Sequence, residues 1–440
     1  MSDLSIYVHH PFCRVRCAYC DFNTYAGLDD LMTPYARALA REIRRVGTST
    51  SPPAPAPDPS PLSAAKGRGE GGRGVRPVHT VFFGGGTPSL LPLELHGEIF
   101  AALRESFELT SDCEITLEAN PGTVDLPYLE GLRRLGVNRL SFGVQSAHPS
   151  ELKLLDRLHS FDDVVQAVRW ARTAGFFNLN LDLIFGIPHQ TLNMWQETLT
   201  RALALQPEHL SCYALSLEHG TPMRSWVYRG LLPMPDSDLA AEMYAWASET
   251  LEAHGFVQYE ISNWAKNKES RQQKADSSGP PTADCLLPPE FACRHNLQYW
   301  RNWPYLGFGA GAHGCVPSAM LRGSSTGGYR YSNVLAPAAY IGRVERGGNT
   351  EFPFSPALAQ AAPVTREEEM GETMMLGMRL TGEGVRDDGF RERYDTGLAE
   401  KYPRELRRLK ALGLIEWDAD GARLTKTGRL LGNRVFREFV

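Results

Sequence analysis

The sequence lacks several features that would assign it quickly to a class of protein. No apolar run approaches the roughly 20 residues that span a bilayer, and 46 lysines and arginines are outnumbered by 51 aspartates and glutamates. The start, MSDLSIYVHH, has neither a basic stretch before an apolar one nor an Arg/Ser-rich leader. We therefore expect a cytoplasmic protein, and its net charge of −5 argues against nucleic acid as a partner.

Cysteine is also scarce, with eight in 440 residues, whereas a disulfide-stapled scaffold would be smaller and richer in cysteine. Three of them nevertheless form Cys13-x3-Cys17-x2-Cys20 just after the first predicted strand, and clustered thiols in a cytosolic chain more often bind metal than each other. Three thiolates can hold a four-iron cluster and leave one iron open. Two alternatives remain: a zinc site completed by His9 or His10, and a redox Cys-x-x-Cys pair.

Short apolar strands alternate with amphipathic helices through the first 255 residues. Six strand–helix units in sequence predict a parallel sheet, and six is fewer than the eight of a closed barrel, so we predict an open, partial (β/α)6 barrel. The predicted strands are Ser5–Val8, Thr80–Phe83, Glu114–Leu117, Arg139–Phe142, Asn178–Leu183 and His209–Ala214. The predicted helices are Leu31–Arg45, Leu93–Phe107, Leu126–Leu135, Phe161–Ala174, Met194–Leu205 and Asp238–His254.

Composition divides the chain further. Residues 256–360 are predicted to extend the barrel domain of residues 1–255, and residues 361–440 to form a small C-terminal domain. In that domain two helices, Glu367–Leu380 and Tyr402–Leu412, precede a hairpin at Gly413–Thr425, which predicts a winged-helix-like module. Two polar, proline-rich segments, 47–77 and 267–289, have no apolar periodicity and are predicted to be disordered insertions.

Polar and glycine-rich motifs follow the predicted strands, at the edge where parallel barrels carry their reactive groups. They include Gly85-Gly86-Thr87, whose glycines let the backbone approach a ligand closely. Acidic and amide side chains follow on later strands, and Arg157 could pair with a ligand carboxylate. Taken singly, each residue is more often an ordinary surface or capping residue, but together they indicate a ligand site beside the cysteine loop. The polar members are Glu118, Gln145, Arg157 and Asp182.

Six segments, in order, resemble the oxygen-independent coproporphyrinogen III oxidase family of radical S-adenosylmethionine (SAM) proteins. They are YVHHPFCRVRCAYCDF, FFGGGTPS, LEANP, GVQS, LDLIFGIP and YLGFGAGAHG. The resemblance implies a [4Fe-4S] cluster on Cys13, Cys17 and Cys20, whose open iron chelates SAM. It implies SAM contacts from Tyr7, Tyr19, Gly85, Gly86, Thr87, Glu118, Gln145, Arg157 and Asp182, with Ala214 and His313 aligned less closely.

Two features depart from the oxidases and favour another branch of the family. Phe22 stands where the oxidases have a fourth cysteine, and Tyr7 lies near the start, whereas the oxidases have a long preceding segment. The segment from His295 to Trp300 resembles the HNxxYW element of the HemW, or heme chaperone, branch. That resemblance implies heme contacts from His295, Tyr299 and Trp300, with Cys293 as a weaker candidate ligand. The alternative is a hydrogen-bonded structural histidine among core aromatics.

The leading hypothesis is therefore a heme chaperone that binds heme and transfers it to an acceptor protein, with a cluster and SAM as cofactors. Its partners would be the acceptor and an electron donor for the cluster, and peripheral membrane association is left open. The main alternative is an oxygen-independent oxidase that decarboxylates coproporphyrinogen III. A third hypothesis is a radical enzyme acting on another substrate.

Overall fold

The computed structural model describes residues 4–49, 77–267, 288–317, 328–348 and 350–440. Most of the two predicted disordered insertions, 47–77 and 267–289, lies outside these ranges. Residues 47–49 belong to the first long helix and Pro77 begins a strand, so the described structure reaches slightly into the first predicted insertion. Among the described residues, no helix has both the length and the apolar character needed to cross a membrane.

Six parallel strands form the centre of the protein, and every predicted strand overlaps its observed counterpart. Each pairs in parallel with the next along the chain. Their residues are buried on both faces, as in a sheet covered by crossover helices. The strands are β1 (Leu4–His10), β2 (Pro77–Gly85), β3 (Glu108–Ala119), β4 (Arg139–Gln145), β5 (Leu179–Phe185) and β6 (His209–Ala214).

Helices connect these strands and begin where side chains can cap them. Asp125, Ser160, Thr191 and Asp236 each accept a hydrogen bond from a backbone N–H in the first turn of the helix that follows. The helices are α1 (Met32–Ser49), α2 (Leu93–Ser106), α3 (Leu126–Leu135), α4 (Pro149–Leu154), α5 (Phe161–Thr173), α6 (Leu192–Ala204), α7 (Pro222–Tyr228) and α8 (Ser237–Ala253).

The sheet is wider than the six predicted strands. Further strands are β7 (Phe256–Glu260), β8 (Asn263–Lys266), β9 (Tyr305–Phe308), β10 (His313–Val316), β11 (Gly328–Asn333) and β12 (Leu358–Val364), with helices α9 (Arg294–Trp300) and α10 (Pro337–Arg346) between them. In the described chain the order is β12-β11-β10-β9-β1-β2-β3-β4-β5-β6-β8-β7. Strand β9 lies parallel beside β1, whereas β8 runs antiparallel to β6. The prediction of an open, partial barrel is confirmed, and antiparallel strands extend it on both sides.

The C-terminal module has a hydrophobic core of its own, centred on residues such as Met374, Leu406 and Val435. The predicted hairpin is present, and the backbone N–H of Asp418 donates to the Gly421 carbonyl at 3.1 Å across its turn. The helices are α11 (Arg366–Gly377), α12 (Asp387–Tyr394), α13 (Leu398–Lys401), α14 (Pro403–Ala411), α15 (Lys426–Leu430) and α16 (Gly432–Phe436). Strands β13 (Val385–Arg386), β14 (Ile415–Trp417) and β15 (Gly421–Leu424) form its antiparallel sheet.

Candidate cofactor site

A cavity of about 580 Å³ opens at the carboxyl ends of the parallel strands, where β/α barrels carry their reactive groups. The strands β2 to β6 and the loop after β1 all contribute side chains to it. Its lining includes most of the residues predicted from sequence: Cys13, Cys17, Tyr19, Cys20, Gly85, Gly86, Thr87, Glu118, Gln145, Arg157, Asp182 and Ala214. One rim therefore brings together residues that are up to about 200 positions apart in the chain.

The three cysteines lie on the loop between β1 and α1, and each thiol is partly buried. Backbone hydrogen bonds fix this loop against the glycine-rich turn after β2: Gly86 N–H donates to the His10 carbonyl at 2.7 Å, and Thr87 N–H to the Phe12 carbonyl at 2.8 Å. Within the loop, Cys20 N–H donates to the Cys17 carbonyl at 3.1 Å. The sulfur-bearing loop and the glycine turn thus form one rigid unit.

Donors surround the sulfur atoms. Thr87 Oγ1 donates to Cys13 Sγ at 3.6 Å, and Arg157 Nη1 donates to Cys17 Sγ at 3.8 Å. Burial raises the pKa of the Cys13 thiol to about 11, so a bound metal is needed to hold it as a thiolate near neutral pH. In the described ranges, no three His, Cys, Asp or Glu side chains are arranged around a single metal ion. A cubane gives each thiolate its own iron, so its ligands are spaced more widely than those of one ion.

The two histidines considered as zinc ligands do not line this cavity. His9 Nδ1 is hydrogen-bonded to Tyr7 Oη at 3.0 Å, and its Nε2 donates to the Asn23 carbonyl at 2.9 Å. His10 is buried and packs edge-on against Phe12, with 5.1 Å between ring centroids. The donor set at the loop is therefore three thiols without a histidine, which fits a cluster with an open iron.

Two glycines make the close approach between the turn and the cysteine loop feasible. Gly85 has φ of +112°, and a Cβ there would collide with the His9 ring. A Cβ at Gly86 would lie 2.6 Å from the Phe12 carbonyl oxygen and 3.0 Å from Cys13 Sγ. Because any larger residue would push the turn away from the loop, these positions require glycine.

Two carboxylates share the opposite wall of the cavity. Burial, reinforced by the negative charge of Asp182, raises the pKa of Glu118 to about 8. Asp182 accepts hydrogen bonds from Ser141 Oγ at 2.8 Å and from Asn180 Nδ2 at 2.9 Å. A ligand bearing positive charge would relieve the repulsion between Glu118 and Asp182. The sulfonium group of SAM carries such charge.

Arg157 offers the complementary charge. Its Nη2 donates to the Gly143 carbonyl at 2.6 Å and its Nη1 to Cys17, but its Nε–H is buried and has no hydrogen-bond partner. A buried donor without an acceptor is costly. The guanidinium as a whole lines the cavity and could pair with a ligand carboxylate there. Gln145, at the end of β4, has φ of +66°, a strained conformation of the kind found near functional sites.

Five predicted contact residues lie outside this cavity: Tyr7, His295, Tyr299, Trp300 and His313. Tyr7 lies behind it, where burial and then the Glu118 charge raise the pKa of the phenol. His313 is an exposed residue at the start of β10. Contacts from Tyr7 and His313 to SAM stay predictions.

The HNxxYW segment is helix α9, and its histidine is fully buried. His295 Nδ1 is hydrogen-bonded to Thr80 Oγ1 at 2.8 Å and Nε2 to Tyr299 Oη at 2.9 Å, while the ring stacks on Phe82 with 5.1 Å between centroids. Burial lowers the pKa of His295 to about 3. Trp300 instead lines a second cavity, on the side of the C-terminal module. Heme contact by His295 stays a prediction, and iron ligation would require one of its two ring hydrogen bonds to be exchanged, because a ligating imidazole binds through a single nitrogen.

A buried polar network inside the barrel was not predicted from the sequence. From Asp182 it continues through Asn180 to His209 Nδ1, 2.6 Å from Asn180 Oδ1, and from His209 Nε2 to Tyr259 Oη at 2.8 Å. Glu114 on β3 accepts hydrogen bonds from the Arg294 and His295 N–H groups, both at 3.2 Å, and so caps α9. The alternation of side chains between the two faces of a strand could have indicated part of this network, because residues 180 and 182 share one face of their strand, and residues 114 and 118 share one face of theirs.

Comparison with known proteins supports this description. The Radical SAM superfamily model matches residues 7–202, and the HemN C-terminal domain model matches residues 364–431. The "Heme chaperone HemW" of Bacillus subtilis is 35% identical over 99% of both chains, and that of Synechocystis is 35% identical over 85% of this chain and 77% of its own. The solved structure of coproporphyrinogen III oxidase (HemN) from Escherichia coli matches with a TM-score of 0.74 at 23% identity, covering 99% of this chain and 90% of its own. That structural likeness shows the shared fold.

Proposed function

The chain belongs to the family of radical SAM proteins that contains the HemW heme chaperones, and on this premise we propose that it binds heme and transfers it to an acceptor protein. The observation that carries the proposal is the 35% identity to a named heme chaperone over 99% of both chains. That similarity spans the barrel, helix α9 and the C-terminal module together. Phe22 at the position of the oxidases' fourth cysteine supports the same branch.

In this proposal Cys13, Cys17 and Cys20 hold the [4Fe-4S] cluster, whose open iron chelates SAM. When bound, cluster and cofactor supply one-electron reductive cleavage of the sulfonium C–S bond. The chain's own residues would bind and orient the cofactor, with Arg157 in the cavity lining as the cation available to its carboxylate. Glu118 and Asp182 would supply negative charge for its sulfonium. An electron donor for the cluster is part of the proposal.

Helix α9 is the proposed heme contact, through His295, Tyr299 and Trp300. The low pKa of His295 keeps its imidazole neutral across the physiological range, so protonation would not compete with iron binding. Ligation would instead compete with the bonds to Thr80 and Tyr299. Since a ligating imidazole keeps the hydrogen bond at its other ring nitrogen, loss of one of those two bonds is the cost that heme binding must offset if His295 is an axial ligand.

Heme titration of the anaerobically purified protein tests the proposal. Wild type, His295→Ala and His254→Ala would be compared by the Soret band, with His254 as an exposed histidine hydrogen-bonded to the Thr250 carbonyl of its own helix. We expect wild type and His254→Ala to bind one heme and to transfer it to apomyoglobin, while His295→Ala binds more weakly with a shifted band. Absence of heme binding by the wild type would contradict the proposed function, and equal affinity with an unchanged band would remove His295 from the site.

The oxidase alternative requires its own assay. Anaerobic incubation with coproporphyrinogen III, a reductant and SAM would yield protoporphyrinogen IX if the chain were a decarboxylase. We expect none, because the oxidases continue the cluster motif with a cysteine that is Phe22 here. Measurable product would reverse the ranking. A cytoplasmic location and a protein acceptor remain parts of the proposal.

A further inference from the structure

A second cavity of about 490 Å³ lies at the junction between helix α9 and the C-terminal module, and we call it the junction cavity. Trp300, Arg301 and Trp303 line it from the α9 side, while α11, β13 and α12 line it from the module. It shares no lining residue with the cofactor cavity. Its volume falls within the roughly 300–1,000 Å³ of small-molecule sites.

The walls of the junction cavity are rich in aromatic rings. Trp300 and Trp303 are partly exposed on one side, whereas Phe390 and Tyr394 on the other side are buried in the core of the module, with 4.7 Å between their ring centroids. The Arg379 guanidinium lies over the Trp300 ring at 4.3 Å. The indole N–H of Trp300 is buried and has no hydrogen-bond partner, so the protein leaves a donor unsatisfied beside this cavity.

Three arginines line the junction cavity, and each is paired with a carboxylate: Arg301 with Glu383, Arg393 with Glu369 and Arg386 with Asp388. Two of these arginines are held closely. Arg301 pairs with Glu383 at 2.6 Å across the junction, and Arg393 Nη2 donates to the Asn302 carbonyl at 2.9 Å. Arg386 has only a 3.5 Å pair with Asp388, whose side chain is 75% exposed, and such a pair is weak. Arg386 is therefore the cation best able to exchange its partner for a ligand carboxylate.

The lining offers little to a metal ion. It contains no histidine, cysteine or methionine. Its one phenol, Tyr394, is hydrogen-bonded to Thr373 Oγ1 at 2.7 Å, and burial raises the pKa of that phenol well above its ordinary value. A ligand in this cavity would be recognised by its flat apolar surface and its carboxylates, with no bond from the cavity to iron.

We propose that the junction cavity binds the tetrapyrrole macrocycle, with the aromatic walls against the ring and Arg386 on a propionate. The proposal rests on the proposed function and deepens it, because it gives the C-terminal module a direct part in holding the cargo. Of the three proposed heme contacts on α9, Trp300 lines the junction cavity, whereas His295 and Tyr299 are hydrogen-bonded to each other outside it.

Gly389 allows the cavity to be filled without removing any native contact. It lines the cavity on α12, lies outside the left-handed region, and a Cβ there meets no atom within 4 Å. Gly389→Leu should therefore fold and narrow the site. Gly382→Leu is the matched control, because that glycine is equally open but does not line the cavity. Thermal unfolding of both variants checks the fold.

The ligands are heme, metal-free protoporphyrin IX and its dimethyl ester, titrated against the full chain. We expect wild type and Gly382→Leu to bind metal-free protoporphyrin IX as well as heme, whether or not His295 adds an iron bond to heme, and Gly389→Leu to bind both at least tenfold more weakly. Arg386→Gln should weaken binding of the free acid but leave the ester unchanged.

The outcomes separate this proposal from the proposed function. Heme binding that is unaffected by both Gly389→Leu and Arg386→Gln overturns the junction cavity while leaving the chaperone function intact. Failure of the wild type to bind any of the three ligands overturns both. If Gly389→Leu fails to fold, the comparison of Arg386→Gln on acid and ester decides the question, because the ion pair lost with that partly exposed arginine is weak.

Discussion

Glu114 is a buried carboxylate whose removal should loosen the helix that carries the HNxxYW segment. It stands on β3, where it accepts the N–H groups of Arg294 and His295 at 3.2 Å and the Cys293 thiol at 3.6 Å. Burial alone would lower the pKa of the nearby Arg139. The electrostatic effects of Cys293 and Glu114 are among those that exceed the effect of burial, so the pKa of Arg139 is raised. Glu114 thus caps the first turn of α9 and balances a buried charge.

The expected cost follows from these contacts. A hydrogen bond to a charged group contributes about 1.5–3 kcal/mol, and a negative charge at a helix N-terminus adds about 0.3–1 kcal/mol. Removing one member of a buried charged set leaves its partner uncompensated, which typically costs about 3–5 kcal/mol. We therefore expect Glu114→Ala to lower the free energy of unfolding by about 3–5 kcal/mol. Glu114→Gln should cost roughly 1–2 kcal/mol, because the amide oxygen can still accept one N–H.

Urea unfolding measures the global effect, and hydrogen exchange of Arg294–Trp300 measures the local one. A loss of about 3 kcal/mol corresponds to roughly 100-fold faster exchange if α9 opens locally. Glu108→Gln, at the exposed start of the same strand, serves as the control and should change stability by less than about 0.5 kcal/mol. Unchanged stability and exchange in Glu114→Ala would refute the reasoning that this carboxylate holds α9 in place.

Three further predictions concern the cofactor site and the core. Cys17→Ser should abolish the brown chromophore of the reconstituted protein, and iron and sulfide persisting at four per chain would contradict the cluster assignment. The pKa of Glu118 is raised to about 8 in the folded apo protein, whereas in the unfolded chain this carboxyl loses its proton near pH 4.5. Between these two values the folded state binds the extra proton, so the free energy of unfolding should fall as the pH rises from about 4.5 to 8. Glu118→Gln should flatten that fall, and identical pH profiles in urea unfolding would contradict the shift. Glu42→Ala should lower the free energy of unfolding by about 3–5 kcal/mol in the same assay, because it removes the carboxylate that accepts hydrogen bonds from Tyr340, Ser355 and Asn333. A loss below about 1 kcal/mol would show that water replaces the carboxylate as acceptor.

Much of the fold was predictable because its information is local. Strands and helices through residue 255 follow from apolar periodicity and from caps such as Asp125 and Thr191, which act within a single turn. The cluster loop is equally local, since three thiols within one short segment can share a ligand whatever surrounds them. The residues that follow parallel strands also converge predictably, because the carboxyl ends of those strands meet at one edge.

The tertiary structure decided what depends on distant partners. Strand β9 is only four residues long and has little periodicity of its own, and it becomes a strand because it covers the edge of β1, about 300 residues away in the chain. Tyr7 belongs to a cofactor motif, yet the pleat of β1 directs its hydroxyl to His9. Tyr299 and Trp300 are adjacent in sequence but face different surroundings, because neighbouring side chains leave a helix about 100° apart: Tyr299 bonds to His295, whereas Trp300 lines the junction cavity.

Glu114 is the plainest case of this division between sequence and structure. Alone it is one glutamate in a predicted strand, and no local pattern distinguishes it from a solvent-exposed residue. Its role exists only once α9 packs against the barrel and presents unpaired N–H groups to it. Sequence determined the cofactor chemistry and the order of the elements, because those depend on residue type and spacing. Structure determined which buried polar groups find partners, because that depends on how the elements pack.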